Sequence, residues 1–228
     1  MRINKYLSSM GVCSRREADA ALTRGDITIN GEVAVLGDQV NEGDIVTYMG
    51  KVVDEKPEFV LIAYNKPVGV VCSTKEKDNI IDAINYPTRI YPVGRLDKDS
   101  EGLILLTNQG EFHNLISHAR YEHEKEYEVI VDKTITSDFI ENMRSGVRIL
   151  DKVTKPCKVK KTSKNSFTII LTEGINRQIR RMCDALGYRV RSLKRVRVMN
   201  ITLGDMKVGE YRDITGDELD TLKSMLSR

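Results

Sequence analysis

Between Gly94 and Gly110 the chain reads G-R-L-D-K-D-S-E-G-L-I-L-L-T-N-Q-G, a polar turn that runs directly into four consecutive aliphatic residues. Leu103, Ile104, Leu105 and Leu106 are bounded by Gly102 on one side and by Thr107-Asn108-Gln109-Gly110 on the other. An apolar run this short, with turn residues at both ends, predicts a buried central strand. Asp97 and Asp99 stand just upstream of it. A carboxylate at the rim of a hydrophobic strand is partly desolvated, so it must be paired, protonated or put to use. Taken singly, either aspartate is more often a solvated turn residue that caps backbone groups.

With 228 residues, 40% of them hydrophobic, the chain can bury one substantial core and carry a small extra module. Lys and Arg number 36 against 33 Asp and Glu, and the pI is near 8.6. That balance is only mildly basic, so local clustering has to identify any nucleic-acid partner. Cys13, Cys72, Cys157 and Cys183 are scattered without a C-x-x-C pair, which predicts neither a disulfide framework nor a zinc knuckle and fits reduced thiols. No apolar run approaches the roughly 20 residues needed to span a bilayer, and Met1-Arg2-Ile3-Asn4 lacks the apolar core of a signal peptide. A cytoplasmic protein with no membrane partner is expected.

Residues 1–50 predict a compact module. Ile3, Tyr6, Leu7 and Met10 recur at helical spacing, and Gly11 can end that helix. Ser14-Arg15-Arg16-Glu17 has the form of a capping box opening a second helix with Ala18, Ala21 and Leu22 on one face. Ile27-Thr28-Ile29 then alternates as a strand into the Asn30-Gly31 turn, Val33 and Val35 start its return, and Ile45-Val46-Thr47 follows the Gly43-Asp44 turn. Residues 51–58, polar and containing Pro57, are expected to link this module to a larger domain over 59–228.

Within that domain Phe59–Tyr64 predicts a strand and Asn65-Lys66-Pro67-Val68-Gly69 its turn. Tyr127, Val129 and Val131 share one face of another strand, which points Tyr127 to the core side. Ile179, Met182, Cys183 and Leu186 make the buried stripe of a helix. Rotation by about 100° per residue puts Arg180 at the edge of that stripe and leaves Arg177 and Arg181 on the opposite, wet face. Arg180 is therefore placed to reach a half-buried carboxylate, and Arg177 and Arg181 to meet phosphates. From Asn176 to Arg197 the cations Arg177, Arg180, Arg181, Arg189, Arg191, Lys194, Arg195 and Arg197 face the single acid Asp184, which reads as a phosphate track. Residues Asp213 to Leu226 predict a closing helix. Many β-rich runs interspersed with helices indicate an α+β fold with a mixed, mainly antiparallel central sheet flanked by helices.

The string G-R-L-D-x-D-S-E-G-L-x-L-L-T-N-x-G resembles the catalytic motif of the pseudouridine synthases that modify small- and large-subunit ribosomal RNA, the RsuA and RluB/E/F branch. The N-K-P-x-G turn, the K-x-Y pair of Lys125 and Tyr127, and the R-Q-I-R string ending at Arg180 resemble the same family. R-I-N-K-Y-L, C-S-R-R-E-A and I-x-I-N-G resemble the αL RNA-binding motif named after small-subunit ribosomal protein four. The resemblance implies Asp97 as the essential catalytic residue, Tyr127 as the ring beneath the target uracil, and Arg180 as the partner of Asp97. It implies RNA contacts by Arg2, Lys5, Arg15, Arg16, Arg95, Lys125, Arg177 and Arg181, with Arg95 filling the space that the extruded base vacates. It implies no cofactor and no metal. The implied partner is RNA: a uridine of large-subunit ribosomal RNA, with transfer RNA as an additional or alternative substrate. A competing reading is a non-catalytic RNA-binding ribosome-assembly factor on the same scaffold. An RNA methyltransferase would need a glycine-rich nucleotide loop between a strand and a helix, and the sequence contains none.

Overall fold

The computed structural model describes residues 1–74 and 76–227. The chain divides into two units: Met1–Val60 with Tyr86–Ile90 and Asn108–Gly110, and the remainder from Leu61 onward.

The first unit opens with α1 (Ile3–Ser9), which buries Ile3 and Leu7, and α2 (Arg15–Arg24), which buries Ala18, Ala21 and Leu22. The capping box forms as its residues dictate. The Ser14 amide donates to the Glu17 carboxylate at 2.7 Å and the Glu17 amide to Ser14 Oγ at 3.2 Å, which satisfies two of the donors that a helix start leaves open. Strands β1 (Ile27–Ile29), β2 (Glu32–Val33), β3 (Val46–Tyr48) and β4 (Lys51–Val52) make an antiparallel sheet in the order β2-β1-β3-β4. Asn30 and Gly31, at φ 52° and 86°, supply the paired left-handed residues of a tight hairpin. The stretch expected to begin a linker at residue 51 instead continues this sheet. Lys51–Val52 pair with β3, and Tyr6 Oη donates to the Val53 carbonyl.

The second unit comprises β5 (Leu61–Lys66), α3 (Ile80–Ile84), β6 (Tyr91–Val93), β7 (Glu101–Thr107), α4 (Gly110–Ser117), β8 (Lys125–Val131), α5 (Ser137–Ser145), β9 (Arg148–Ile149), β10 (Lys152–Val153), β11 (Lys158–Lys161), β12 (Ser166–Leu171), α6 (Gln178–Ala185), β13 (Val190–Val198), β14 (Ile201–Thr202), β15 (Tyr211–Asp213) and α7 (Gly216–Leu226). Its main sheet runs β11-β12-β8-β13-β7-β5-β15, with β6 also on β7 and β14 also on β13. Every pairing is antiparallel except β13 with β7. The fold is α+β with a mixed, mainly antiparallel sheet.

β7 is buried from Gly102 to Thr107, as its aliphatic run predicts. β5 is buried along its whole length. It starts two residues later than expected and takes in Asn65 and Lys66, which sequence pattern assigned to the turn. The strand β12 alternates, with Phe167, Ile169 and Leu171 facing a core that Phe139 and Met143 of α5 and Ile179, Met182 and Cys183 of α6 close. Val129 and Val131 of β8 join the same cluster, and the Phe139 ring lies 4.2 Å from Tyr188 and 5.4 Å from Phe167 between centroids. Among the described residues no helix is long and apolar enough to cross a membrane.

Candidate active site

Asp97 sits in the loop that joins β6 to β7, two strands paired antiparallel. Three contacts fix that loop. The buried Leu96 donates its amide to Cys72 Sγ at 3.3 Å. The Ser100 amide returns to the Asp97 carbonyl at 3.1 Å, and the Gly69 amide donates to the Lys98 carbonyl at 2.8 Å. The Asp97 side chain remains 32% exposed. It opens on a cleft of about 470 Å³ whose wall includes Val68, Gly69, Cys72, Arg95 and Arg177.

The turn that brings Val68 and Gly69 to the cleft is held by Lys66. This side chain has no exposed surface and donates to the carbonyls of Pro67 and Val70, each at 2.8 Å. Burial pushes its ammonium below the usual lysine range, while Cys72, Asp97, Asp99 and Glu101 pull it back up. No signal in the sequence marked Lys66 as a buried cation, because a lysine before proline reads as a surface turn.

Arg177 and Arg180 depart from their expected places. Projection on a helical wheel put Arg177 on the wet face, but it is the N-cap of α6 with φ 53° and ψ 36°, so it lies off the helical repeat. From there its guanidinium takes both oxygens of Asp99, at 3.0 and 2.9 Å, and stands 3.6 Å from Asp97 Oδ2. Arg180 was expected to pair with Asp97. Instead its Nη2 donates to the Asp99 carbonyl at 2.7 Å and to Ser100 Oγ at 3.3 Å, and its Nε lies 3.4 Å from Asp99 Oδ2. The turn Asp97–Ser100 presents Asp99, not Asp97, to that helix. The Arg177 fork holds the Asp99 carboxyl below the usual carboxylate range, and Arg180 adds to this against the opposing effect of burial.

Tyr127 lies on β8, partly buried against the core cluster, and Lys125 two residues before it occupies the same face. Arg195 of β13 stands opposite Tyr127 on one side and Gly102 of β7 on the other. This row connects the tyrosine strand to the strand that follows Asp97. Arg195 is 3% exposed and its Nε donates to the Leu103 carbonyl at 2.7 Å. Lys125 Nζ donates to the His123 carbonyl at 3.1 Å. Burial, with Arg195 nearby, lowers the Lys125 ammonium to about 8.

The other RNA-contact candidates divide by unit. Arg95 is exposed on the cleft wall. Arg181 is tied to Asn176, through Nε to its carbonyl and Nη2 to its side chain. In the first unit Arg2 precedes α1, Lys5 lies within it, and Arg15 and Arg16 are exposed in the first turn of α2. The one-sided basic run is less free than it reads. Arg197 pairs with Glu124 and Glu126, Arg195 is buried, and Arg177 and Arg180 are engaged with residue 99. Arg189 and Arg191 remain exposed and Lys194 half-buried. The neutralising acids, Asp99, Glu124 and Glu126, lie far away in the sequence, so no window of sequence displays them. Among the described residues no three His, Cys, Asp or Glu side chains gather as a metal site requires.

Comparison with known proteins accounts for both units. Residues 60–185 match the family described as RNA pseudouridylate synthase, and residues 1–46 match the S4 domain. Over 99% of its length the chain is 51% identical to the dual-specificity RNA pseudouridine synthase RluF of Escherichia coli (strain K12), covering 79% of that protein. It is 36% identical to the ribosomal large subunit pseudouridine synthase B of Bacillus subtilis (strain 168), over 98% of this chain and 96% of that one. A crystal structure of a pseudouridylate synthase superposes with a TM-score of 0.72 at 26% identity, covering 99% of both chains. With its Asp97 loop, its sheet and its N-terminal module all matched, the chain belongs to the RNA pseudouridylate synthase family.

Proposed function

We propose that this enzyme isomerises a uridine of large-subunit ribosomal RNA, and a uridine of transfer RNA as a second substrate, in the cytoplasm and through Asp97. The bond from C1′ to N1 breaks, the uracil rotates, and C1′ joins C5. The C5 proton is released and N1 gains one, so atoms balance without an oxidant or reductant. Asp97 must be ionised to act, as a nucleophile or as a general base. Support for the reading comes chiefly from one observation: an aspartate on an immobilised loop faces a cleft, with a guanidinium 3.6 Å away.

Taking the base out of its stack costs a few kcal/mol, which phosphate contacts must offset. The exposed cations Arg95, Arg189 and Arg191, with Arg2, Arg15 and Arg16 of the first unit, are the groups for that task. Tyr127 supplies a flat apolar face for the extruded uracil. Both named relatives bear on the substrate: one is called dual-specificity, the other a large-subunit enzyme.

Pseudouridine mapping tests the proposal, on ribosomal and transfer RNA from cells that lack the protein and are complemented with wild type or Asp97→Asn. Loss of a ribosomal site and a transfer RNA site, restored by wild type alone, is the expected result. An unchanged map, or restoration by Asp97→Asn, would favour a non-catalytic RNA-binding factor.

A further inference from the structure

We infer that Lys98 and Val68 form a subsite for the nucleotide next to the target uridine, with the Lys98 ammonium on the phosphodiester that joins the two nucleotides and Val68 against the neighbour's base. The inference rests on the reading of this cleft as the place where the target uridine meets Asp97.

Two turns meet at the cleft. One carries Val68 and Gly69, the other Asp97 and Lys98, and the Gly69 amide ties them together by donating to the Lys98 carbonyl at 2.8 Å. Each turn is also fixed on its own side. Lys66 donates to the carbonyls of Pro67 and Val70, and the Ser100 amide returns to the Asp97 carbonyl. Positions 68 and 98 therefore share a braced backbone, and both residues line the cleft with Asp97. Val68 is nonetheless 60% exposed, although burial is what an aliphatic side chain favours. Lys98 is exposed too, and among the described residues no acid forms an ion pair with its ammonium. The acids of its own turn are already answered, Asp99 by Arg177 and Arg180 and Asp97 by Arg177 at 3.6 Å. Glu76 is the remaining acid of the cleft lining, against Arg95 and Lys98. An RNA strand supplies what Lys98 and Val68 lack. A phosphodiester flanks the uridine on each side, and contacts to phosphates fix register. When the target base leaves its stack, the neighbour's base loses a stacking partner and offers a flat face. Aliphatic side chains are set against unstacked base faces of this kind.

A simpler role for both residues is a solvated turn. The two roles separate when changes in the protein are crossed with changes in the RNA. Lys98→Gln, Val68→Ser and Asp97→Asn are compared with wild type on a synthetic stem-loop that carries the mapped uridine. In parallel RNAs the phosphodiester on either side of that uridine is replaced by an uncharged methylphosphonate, or the base on either side is removed. Lys98→Gln should weaken binding of the unmodified RNA about fivefold and lower the slope of log K against log salt by about 0.7 to 0.9. It should change nothing on the RNA whose neutral linkage lies on one particular side of the uridine. Val68→Ser should weaken binding about threefold through lost apolar contact, and should have no effect once the base on that same side is missing. Melting temperatures should stay those of wild type, since both side chains are exposed. A Lys98→Gln effect that is absent, or equal on every RNA, overturns the phosphate contact. A Val68→Ser effect that is absent, or that survives removal of either base, overturns the base contact, and effects on opposite sides of the uridine overturn the shared subsite. In each of these cases an inactive Asp97→Asn leaves the catalytic aspartate standing. Full turnover by Asp97→Asn overturns the catalytic reading, and this inference with it.

Discussion

A Cβ on Gly102 would lie 2.3 Å from the carbonyl oxygen of Arg195 and 2.8 Å from its amide nitrogen. Here the parallel strands β7 and β13 touch, backbone against backbone, and Gly102 also adopts φ +102°, which side chains avoid. The neighbour is main chain, so nothing flexible can give way. Gly102→Ala should therefore destabilise the protein by about 3 kcal/mol through strain and overpacking. Urea denaturation reads this as a lower midpoint at unchanged slope. An unshifted midpoint would show that the two strands can part at no cost.

Lys66 ties together the turn that carries Val68 and Gly69 to the cleft. Its ammonium has two carbonyl partners, and the residue has no exposed surface. Lys66→Met removes the cost of burying a charge but strands the acceptors on Pro67 and Val70, at about 1–3 kcal/mol for each that stays buried and unpaired. Two acceptors against one relieved ammonium makes a net loss of about 2 kcal/mol the expected outcome. Lys66→Arg should fare no better, because a planar fork with five donors does not fit where one ammonium meets two carbonyls. Equal stability of Lys66→Met and wild type would mean that the two carbonyls find other donors.

What could be read from sequence was local. Ser14 and Glu17 form a capping box, Asn30-Gly31 a hairpin turn and Leu103–Leu106 a buried strand because each depends on neighbours within a few residues. The arginine pairing failed for two physical reasons. Arg177 is left-handed and precedes the first helical residue, so a rotation of about 100° per residue does not apply to it. Its partner, Asp99, lies on a turn whose shape depends on backbone contacts to Gly69 and within the loop itself. Likewise the Arg197 charge is answered by Glu124 and Glu126 only because β13 pairs with β8.

Lys125 should make RNA binding pH-dependent. With its ammonium lowered to about 8 by burial and by Arg195, the side chain is charged at pH 7 and loses its proton as pH rises through 8. A lysine held below its unfolded value of about 10.4 costs stability while charged, so this cost fades between pH 8 and 10.4 rather than growing. RNA phosphate favours the charged form, so affinity should fall above pH 8 by at most about tenfold per pH unit. Lys125→Arg, charged throughout, should flatten the profile between pH 7 and 9.5. A wild-type affinity that is level across this range would remove Lys125 from the RNA contact.

Arg15 and Arg16 occupy the first turn of α2, the positive end of the helix dipole, where cations are disfavoured by some tenths of a kcal/mol. Both are exposed, and that end of the dipole works against a cation placed there. Two cations kept at a helix N-terminus point to an anionic partner. Arg15→Gln with Arg16→Gln should leave stability equal or slightly higher, and should weaken RNA binding. Removing one cation from a phosphate reduces the slope of log K against log salt by about 0.7 to 0.9, so the double variant should lower it by about 1.4 to 1.8. The single-turnover rate at saturating RNA should not change, because these residues act on affinity and not on the bond being broken. A salt slope equal to that of wild type would assign both arginines to solvent, and would leave RNA binding by the first unit to Arg2 and Lys5.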